Sequence, residues 1–422
     1  MSSAVVIAFC YTGCVMDKLI KTTIEGIAAG GAGLARAGGK RIFVEGGIPG
    51  ETVVCRITEE RRSWSQAELV DIEEASADRV QPACSLYGTC GGCNLQHLAY
   101  PAQLAAKTAI LQDAFARISG FCPPQPLVFP SEPWEYRNRM QFHAVQRRAS
   151  GVSTLPWGLK SRKSAEIVPV PDCPIADPGI RRLLRTDPQQ MQALIPLGKD
   201  RFTVYARNGL LLSEGGTSRG RTPVLDRELA LDAGAFFQSN GAMLEKLVAS
   251  LREIAAGIGP SARSLPMADL YCGVGTFAAF LAELFPSADL VEENRAALAL
   301  ARENLAPHGP ANFFALRSEH WAQNASFRQY GFIVADPPRQ GLSQSLALAL
   351  AQAGPAVQAG SATLAYVSCD PATLARDSKI LLAGGYQLKK LLFYDFYPQT
   401  AHIESLAVFE KQGTGRVFSQ IH

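Results

Sequence analysis

Cys369, in the stretch TLAYVSCDPATLARD, directly follows a short apolar strand that we predict over residues 364–367. In an open α/β sheet, the carboxyl ends of the strands form the edge where ligands bind and react. A second candidate, Glu404, lies in FYPQTAHIESLAVF, just before another apolar strand. By position alone, an inert thiol and a surface carboxylate are the commoner interpretation, so other residues must decide whether this pair reacts.

The stretch ADLYCGVGTFA has the spacing of a ligand-binding turn. A strand leads into Gly273 and Gly275 and a helix opens directly after them, so the backbone can approach a ligand closely. Glu292 ends the next predicted strand, where an acid can accept hydrogen bonds from both hydroxyls of a ribose. The glycine spacing also fits a dinucleotide cofactor, and a tight turn with a surface glutamate is the plainer alternative.

The stretch FIVADPPRQGL holds Asp336 between a buried strand and two prolines, which fix the backbone and remove two N–H donors. It resembles the D-P-P loop with which S-adenosylmethionine-dependent methyltransferases position a target base. Amino-methylating versions carry an aromatic residue after the prolines, whereas this chain has Arg339, which argues against an exocyclic amine as substrate. A nicotinamide-dependent oxidoreductase has no obvious use for this loop.

Methylation at a ring carbon would give Cys369 and Glu404 a defined chemistry. C5 of a uracil is a poor nucleophile, and a thiolate that adds to C6 makes C5 enolate-like. After methyl transfer the C5 proton must leave before the thiol can be eliminated, and this step needs a base. We therefore predict Cys369 as the nucleophile and Glu404 as the base.

Cys84, Cys90 and Cys93 have a C-x5-C-x2-C spacing that predicts a metal centre. Thiolates so close together need a metal ion or cluster, and both zinc and iron–sulfur sites normally take four ligands. Cys173, braced by prolines in VPVPDCPIADP, is the predicted fourth ligand. The spacing leaves the choice between a [4Fe–4S] cluster and zinc open.

The segment from residue 137 to 163 carries seven basic residues and no acid, with aromatic side chains between them. The basic residues are Arg137, Arg139, Arg147, Arg148, Lys160, Arg162 and Lys163. This pattern is typical of a phosphate-binding surface with partners for base stacking, and a merely solvated basic face is the alternative.

The elements that must position these residues are visible in the hydrophobic pattern. Residues 18–72 predict short strands of a small antiparallel barrel, 101–118 a helix, and 134–222 a strand-rich region. After residue 231, apolar strands alternate with helices, which predicts a doubly wound parallel sheet. The fold class is therefore α/β: a Rossmann-like domain with an N-terminal OB-like β-barrel and a small β-rich central domain.

Length and composition agree with several domains. A chain of 422 residues is too long for one ordinary core. Ten cysteines are too few for a disulfide scaffold at this length, and three lie so close together that metal binding in a reducing compartment is favoured. A net charge of +3 does not by itself indicate a nucleic-acid binder. No stretch approaches the length of a membrane span, so we expect a cytoplasmic protein with no membrane partner.

Together these motifs resemble the RNA uracil-5-methyltransferases, specifically the branch that carries an iron–sulfur cluster, over nearly the whole chain after Met16. The stretch GGAGLAR…IFVEGGIPGETV is similar to that family's TRAM domain, an RNA-binding barrel. The resemblance implies S-adenosylmethionine and a [4Fe–4S] cluster as cofactors. It implies RNA as the substrate, with 23S ribosomal RNA favoured and a transfer RNA T-loop uridine as the alternative. No protein partner is implied, and we expect a monomer.

The resemblance also assigns roles to residues. It implies Cys369 as nucleophile, Glu404 as base, and Cys84, Cys90, Cys93 and Cys173 as cluster ligands. The implied cofactor-binding residues are Gln238 (in FFQSN), Tyr271, Gly273, Gly275, Thr276, Glu292 and Asp336. Two positions depart from the family pattern: Leu290 replaces a usual glycine, and the contact to adenine would fall to Ser318 or Glu319.

The implied domains are an N-terminal extension (1–15), a TRAM barrel (16–75), a central iron–sulfur domain (76–93 and 125–230) and a methyltransferase domain (94–124 and 231–422). A non-catalytic RNA-binding or assembly protein on a methyltransferase scaffold is the rival interpretation. Intact Cys369, Asp336 and Glu404 speak against it.

Overall fold

The computed structural model describes residues 6–7, 18–144, 157–186, 194–196, 198–324, 330–352 and 361–412. The chain divides into two compact units. The first comprises residues 1–110, 160–168 and 397–402, and the second comprises residues 111–159, 169–396 and 403–422. The finer division into three domains stays a prediction. Arg147, Arg148 and nearly all of the predicted N-terminal extension lie outside the described residues.

The first unit contains a closed barrel of five strands. Its strands, with a short preceding strand β1, are β1 (Val6–Ile7), β2 (Leu19–Ile27), β3 (Gly33–Ala37), β4 (Lys40–Glu45), β5 (Thr52–Glu60) and β6 (Trp64–Glu74). Strand β2 pairs with both β3 and β5, which closes the barrel. Alternate residues of β2, among them Ile20 and Ile24, pack in a core with Val44 and Val53.

The OB-like barrel is thus confirmed, but the prediction that it is antiparallel throughout was wrong at one pair. Strands β4 and β6 run parallel, while β5 and β6 are antiparallel. The physical reason is that β5 reverses the chain between them, so β6 returns in the direction of β4. A sequence pattern gives the strands and turns but does not state which non-consecutive strands will pair.

The remaining elements follow along the chain. The strands are β7 (Leu127–Phe129), β8 (Arg139–Ala144), β9 (Trp157–Lys160), β10 (Ile167–Pro169), β11 (Arg201–Arg207), β12 (Leu210–Ser213), β13 (Arg219–Val224), β14 (Arg227–Asp232), β15 (Met267–Leu270), β16 (Ala288–Val291), β17 (Ala311–Phe314), β18 (Phe332–Ala335), β19 (Ser361–Ser368), β20 (Gln387–Tyr394) and β21 (Glu404–Gln412). The helices are α1 (Tyr100–Ala114), α2 (Pro178–Leu184), α3 (Gly241–Gly257), α4 (Pro260–Arg263), α5 (Thr276–Leu281), α6 (Arg295–Leu305), α7 (Ser318–Asn324), α8 (Gln344–Gln352) and α9 (Pro371–Ala383).

The second unit is built on an eight-stranded sheet with the order β17-β16-β15-β18-β19-β21-β20-β7. Strands β17, β16, β15, β18 and β19 are parallel, and β21 joins β19 antiparallel. In the same unit, β8 pairs antiparallel with β9 and β11, β11 pairs with β12, and β13 forms a hairpin with β14.

Short apolar sequences and helix caps explain why these elements form where they do. All four residues of β15, of β16 and of β18 are buried, as expected for central strands of a parallel sheet. Helix α6 begins after Asn294, whose side chain accepts hydrogen bonds from two backbone N–H groups of the first turn. Helix α9 begins after Asp370, which accepts from the Thr373 N–H at 2.9 Å, and Pro371 occupies the first helical position.

Candidate active site

The predicted site residues of the methyltransferase part follow neighbouring strands at one edge of the sheet. Strands β15, β16, β18 and β19 are parallel, and Leu270 of β15 lies opposite Val291 of β16 and Ala335 of β18. The residues that follow these four strands are Tyr271, Glu292, Asp336 and Cys369. This edge is the place where open α/β sheets bind their ligands.

The pairing of β19 with β21 brings the predicted nucleophile and base together. Ser368 is the register partner of Ser405, and the Ser405 Oγ donates to the Ser368 carbonyl oxygen at 3.3 Å. Cys369 follows Ser368 and Glu404 precedes Ser405, so the antiparallel register places these two residues opposite each other at the strand end. The two groups are close enough that negative charge on Glu404 raises the pKa of the Cys369 thiol. Thirty-five positions of sequence separate residues that the fold makes neighbours.

Acidic groups at this strand end oppose each other's ionisation. Burial raises the pKa of the Cys369 thiol to about 12, and negative charge on Glu404 and Asp336 adds to that rise. Burial also raises the pKa of Glu404 well above its ordinary value, again with a contribution from Asp336. Arg339 acts in the opposite direction on both groups. In the resting protein, Cys369 is therefore a thiol rather than a thiolate at neutral pH.

Asp336 and Gln238 form the next part of the site. Desolvation raises the pKa of Asp336 to about 7, and a hydrogen bond from Gln238 lowers it. The Gln238 Nε2 lies 3.5 Å from the Asp336 Oδ2, at the long limit of a hydrogen bond. The buried Gln238 Oε1 has no hydrogen-bond partner within the described residues. An unpartnered buried acceptor beside a carboxyl that titrates near neutrality is suited to bind a polar ligand.

The glycine turn after β15 has the shape predicted for close approach of a ligand. Tyr271, Gly273 and Gly275 all have left-handed φ values, of 61°, 54° and 76°. A Cβ on Gly275 would lie 3.0 Å from the Cβ of Ala301, so helix α6 packs directly against the turn. Thr276 follows as the first residue of α5.

Glu292 contacts this turn in a way that the sequence did not predict. Its Oε2 accepts from the Gly273 N–H at 3.1 Å, and its Oε1 accepts from the Asn294 N–H at 2.7 Å. The predicted ribose acid thus also fixes the backbone of the cofactor turn. Each carboxylate oxygen can accept a second hydrogen bond, so these contacts leave capacity for ribose hydroxyls.

Asp269 is a site residue that sequence reasoning missed. It is fully buried beneath the turn, and its Oδ2 accepts from the Ala278 N–H at 3.0 Å. Burial raises its pKa to about 8. The sequence could have indicated this residue, because it is an aspartate within the apolar strand MADL. A carboxyl group is rarely buried unless it has a partner.

A cavity of about 770 Å³ opens beside the turn and is large enough for a nucleoside-sized ligand. Tyr271 and Glu292 line it on one side, together with Ser318 and Glu319. Ser318 is buried and its side chain hydrogen-bonds Tyr271, whereas Glu319 is only partly buried. Of the two residues expected to contact adenine, Glu319 is therefore the one with more freedom to do so.

The four predicted metal ligands are all half-buried, so a metal could reach their thiols. Cys84, Cys90 and Cys93 belong to the first unit and Cys173 belongs to the second. Across the described ranges, no three His, Cys, Asp or Glu side chains form a group that could hold a metal ion. A set of four cysteine thiols is the kind of donor set that a zinc ion or an iron–sulfur cluster takes.

Part of the predicted basic surface is engaged with acids of the barrel. The Arg162 Nε lies 2.9 Å from a Glu45 carboxylate oxygen, and the Lys163 Nζ lies 2.6 Å from Glu68. Lys163 is nevertheless 60% exposed. The sequence pattern therefore overestimated the free positive charge of this stretch. Acids from β4 and β6, which are distant in sequence, pair with two of its basic residues.

Two family models and several known proteins match this chain. The family described as tRNA (Uracil-5-)-methyltransferase matches residues 219–412, and the TRAM domain matches residues 20–70. The 23S rRNA (uracil(1939)-C(5))-methyltransferase RlmD of Shewanella sp. strain ANA-3 is 31% identical over 433 residues, covering 90% of this chain and 93% of the relative. The chain belongs to the RNA uracil-C5-methyltransferase family.

Other members of the uracil-C5-methyltransferase family agree with this assignment. The enzyme of the same name from Bordetella bronchiseptica is 31% identical over 444 residues, covering 92% of each chain. The crystal structure of Pyrococcus abyssi tRNA (uracil-54, C5)-methyltransferase in complex with S-adenosyl-L-homocysteine has a TM-score of 0.68 and 22% identity. It covers 92% of this chain and 100% of its own, and it supports the fold. No helix in the described part of this family member is long and apolar enough to cross a membrane.

The high pKa of Cys369 makes a prediction about its reactivity in the free enzyme. Because the thiolate is the species that alkylates, we expect the reaction of Cys369 with iodoacetamide to accelerate steadily up to about pH 10 without a plateau. Peptide mass spectrometry measures the rate for each cysteine separately, with the exposed Cys122 as the internal reference for the reagent. A plateau near about pH 8 would show an activated thiolate and contradict the electrostatics described above.

Proposed function

We propose that this enzyme makes 5-methyluridine in 23S ribosomal RNA through a covalent adduct between the Cys369 Sγ and C6 of a uracil. The observation that carries the proposal is the register of β19 and β21, which sets Cys369 opposite Glu404. A nucleophile and a base are the two groups that methylation at C5 requires, and both lie at the ligand-binding edge of the sheet. The relatives named for ribosomal RNA favour that substrate over transfer RNA.

The residues present can hold S-adenosylmethionine, which supplies the methyl group when bound. The glycine turn lets a ligand approach the backbone, and Glu292 beside the cavity can accept hydrogen bonds from a ribose. Gln238 and Asp336 offer polar atoms at the neighbouring strand end. Glu319, half-exposed at the cavity, is the proposed acceptor for the amino group of adenine.

The chemistry then assigns one role to each acid. Cys369 must lose its proton before its Sγ forms a bond to C6, and Asp336, whose charge acts on this thiol, is a neighbouring carboxylate that can accept that proton. The electron pair of the C5–C6 double bond moves toward the uracil carbonyl. It would then return to form the bond from C5 to the methyl group, as the bond from that methyl to the sulfonium of S-adenosylmethionine breaks. Glu404 removes the C5 proton, the double bond reforms, and the Sγ–C6 bond breaks. Glu404 acts in its carboxylate form, and its raised pKa makes that carboxylate a stronger base for a carbon-bound proton.

Substitution of the base should trap the adduct. We expect Glu404→Gln to transfer the methyl group and then stop, because the amide cannot remove the C5 proton. With unmodified 23S ribosomal RNA and radiolabelled S-adenosylmethionine, the product should be a protein–RNA band that survives denaturing electrophoresis. Turnover should fall by at least about 100-fold, a typical contribution of a general base.

Two companion variants decide the interpretation of that band. Cys369→Ala should give neither adduct nor product, whereas Cys122→Ala, at an exposed thiol, should behave as wild type. Full methylation by Cys369→Ala would refute the covalent mechanism. If the wild type binds S-adenosylmethionine but methylates no RNA, the interpretation as a non-catalytic RNA-binding protein is favoured.

We also propose that Cys84, Cys90, Cys93 and Cys173 hold a [4Fe–4S] cluster. The C-x5-C-x2-C spacing and four half-buried thiols support it. Methyl transfer needs no electron, and we assign the cluster no step in the reaction.

The metal content of anaerobically purified protein tests this second proposal. We expect brown protein with about four iron atoms and about four sulfides per chain, as a [4Fe–4S] cluster requires. Cys90→Ser and Cys173→Ser should each lose most of that iron, and Cys122→Ser should retain it. A colourless protein that carries zinc, or iron content unchanged by Cys173→Ser, would contradict the assignment.

A further inference from the structure

Helix α9 begins two residues after Cys369 and holds the loop that follows Asp336. The Thr373 Oγ1 donates to a loop carbonyl at 3.2 Å. The Arg376 Nη2 donates to two more, at 2.9 and 3.0 Å. The accepting carbonyl oxygens belong to Arg339, Gln340 and Leu342. Three carbonyls within four consecutive residues of the loop are thus fixed by side chains of one helix.

Asp377 adds a buried junction to this contact. Its side chain is 1% exposed, and its Oδ2 accepts from the Leu342 N–H and from the Tyr366 hydroxyl, both at 2.8 Å. Its Oδ1 accepts from the Arg376 Nε, also at 2.8 Å. One carboxylate therefore joins the loop, helix α9 and strand β19. Its contact in β19 is Tyr366, three residues before Cys369.

Gly341 shows how tightly the loop lies against the helix. Its φ of 73° is left-handed, and a Cβ there would lie 2.5 Å from the Asp377 Oδ2 and 3.0 Å from the Thr373 Cβ. A side chain there would press against the side chains of Asp377 and Thr373, which both belong to helix α9. The loop and the first turns of α9 are thus packed so closely that a shift of one requires a shift of the other.

The same residues form a wall of the cavity that Glu292 lines. Gln340, Gly341, Leu342, Arg376 and Asp377 all line it. A ligand in the cavity therefore touches the side chains that fix the helix after Cys369. A ligand can shift a protein between conformations when its contacts differ between them, and these residues offer such a contact.

We propose that Arg376 and Asp377 are positioning residues that couple occupancy of the cofactor cavity to the reactivity of Cys369. The inference rests on the proposed function, because it takes Cys369 to be the nucleophile. Binding of the cofactor sets the loop, the loop sets α9 through these two side chains, and α9 sets the strand end that carries the thiol. Addition to C6 is then faster when the cofactor cavity is occupied than when it is empty.

Hydrogen exchange at C5 measures addition without methyl transfer. In D₂O the Cys369 Sγ bonds to C6, the enolate-like C5 takes a deuteron from solvent, and a base removes the original proton. The Sγ–C6 bond then breaks and leaves deuterium on C5. S-adenosylhomocysteine fills the cavity but has no methyl group to give, so the ratio of exchange rates with and without it reports the coupling. Nucleoside mass spectrometry of the recovered RNA measures both rates.

We expect saturating S-adenosylhomocysteine to raise the wild-type exchange rate by at least about five-fold, the lower end of typical couplings between sites. Asp377→Asn should reduce the ratio to below about two-fold. The side-chain amide puts an N–H group in place of a carboxylate oxygen that now accepts a hydrogen bond. Arg376→Ala should reduce the ratio as well, because two loop carbonyls lose their donor. Lys379→Ala, at an exposed residue of the same helix, should keep the wild-type ratio.

If Asp377→Asn and Arg376→Ala fail to fold, Tyr366→Phe still tests the proposal. It removes one hydroxyl that donates to Asp377 and should lower the ratio by itself. Saturation is verified for each variant by calorimetric titration with S-adenosylhomocysteine. A wild-type ratio near one, or variants that keep the wild-type ratio, would overturn the coupling and leave the covalent mechanism standing. Absence of exchange in the wild type under both conditions would instead overturn the covalent mechanism itself.

Discussion

The antiparallel pairing of β21 with β19 is the interaction on which the candidate site depends. The other strands at this edge are parallel, and each contributes one residue at its carboxyl end. A base must lie beside the nucleophile, and a parallel neighbour would bring its own loop rather than the start of a strand. Because β21 runs the other way, its first residue, Glu404, meets the residue that follows the last position of β19. The position of Glu404 beside Cys369 thus follows from the backbone pairing of the two strands.

Burial and neighbouring charges oppose ionisation of both members of this candidate pair. Glu404 is 3% exposed, and burial makes ionisation of its carboxyl and of the Cys369 thiol costly. The negative charge of Asp336 raises both costs further, while Arg339 reduces them. A thiol that stays protonated is protected from alkylation and oxidation, which act on thiolates. The proposed link through Arg376 and Asp377 would add a second safeguard by reserving addition for the loaded cavity.

The sequence predicted the local elements of the sheet well, because each of them is encoded locally. Strand β18 is a run of four apolar residues, and helix α6 starts directly after an asparagine cap. The prediction of an antiparallel barrel was wrong for the pair β4 and β6. The hydrogen bonds from the glycine turn to Glu292 were not predicted. Both features depend on residues that are distant in sequence. The predicted roles of Cys369 and Glu404 followed from the chemistry of methylation at C5, whereas those of Gln238 and Thr276 came only from family resemblance. The convergence of the four cysteines stays a prediction, since metal ligands gather around an ion that the chain does not itself supply.

The most direct test of the account is to map 5-methyluridine in cells that lack this gene. Large-subunit ribosomal RNA and transfer RNA are digested separately, and the modified nucleoside is quantified by mass spectrometry before and after re-expression of wild type or Cys369→Ala. We predict that 23S ribosomal RNA loses 5-methyluridine, that wild type restores it and Cys369→Ala does not, and that transfer RNA is unchanged. Unchanged ribosomal RNA with a loss confined to transfer RNA would contradict the proposed substrate, and restoration by Cys369→Ala would contradict the proposed chemistry.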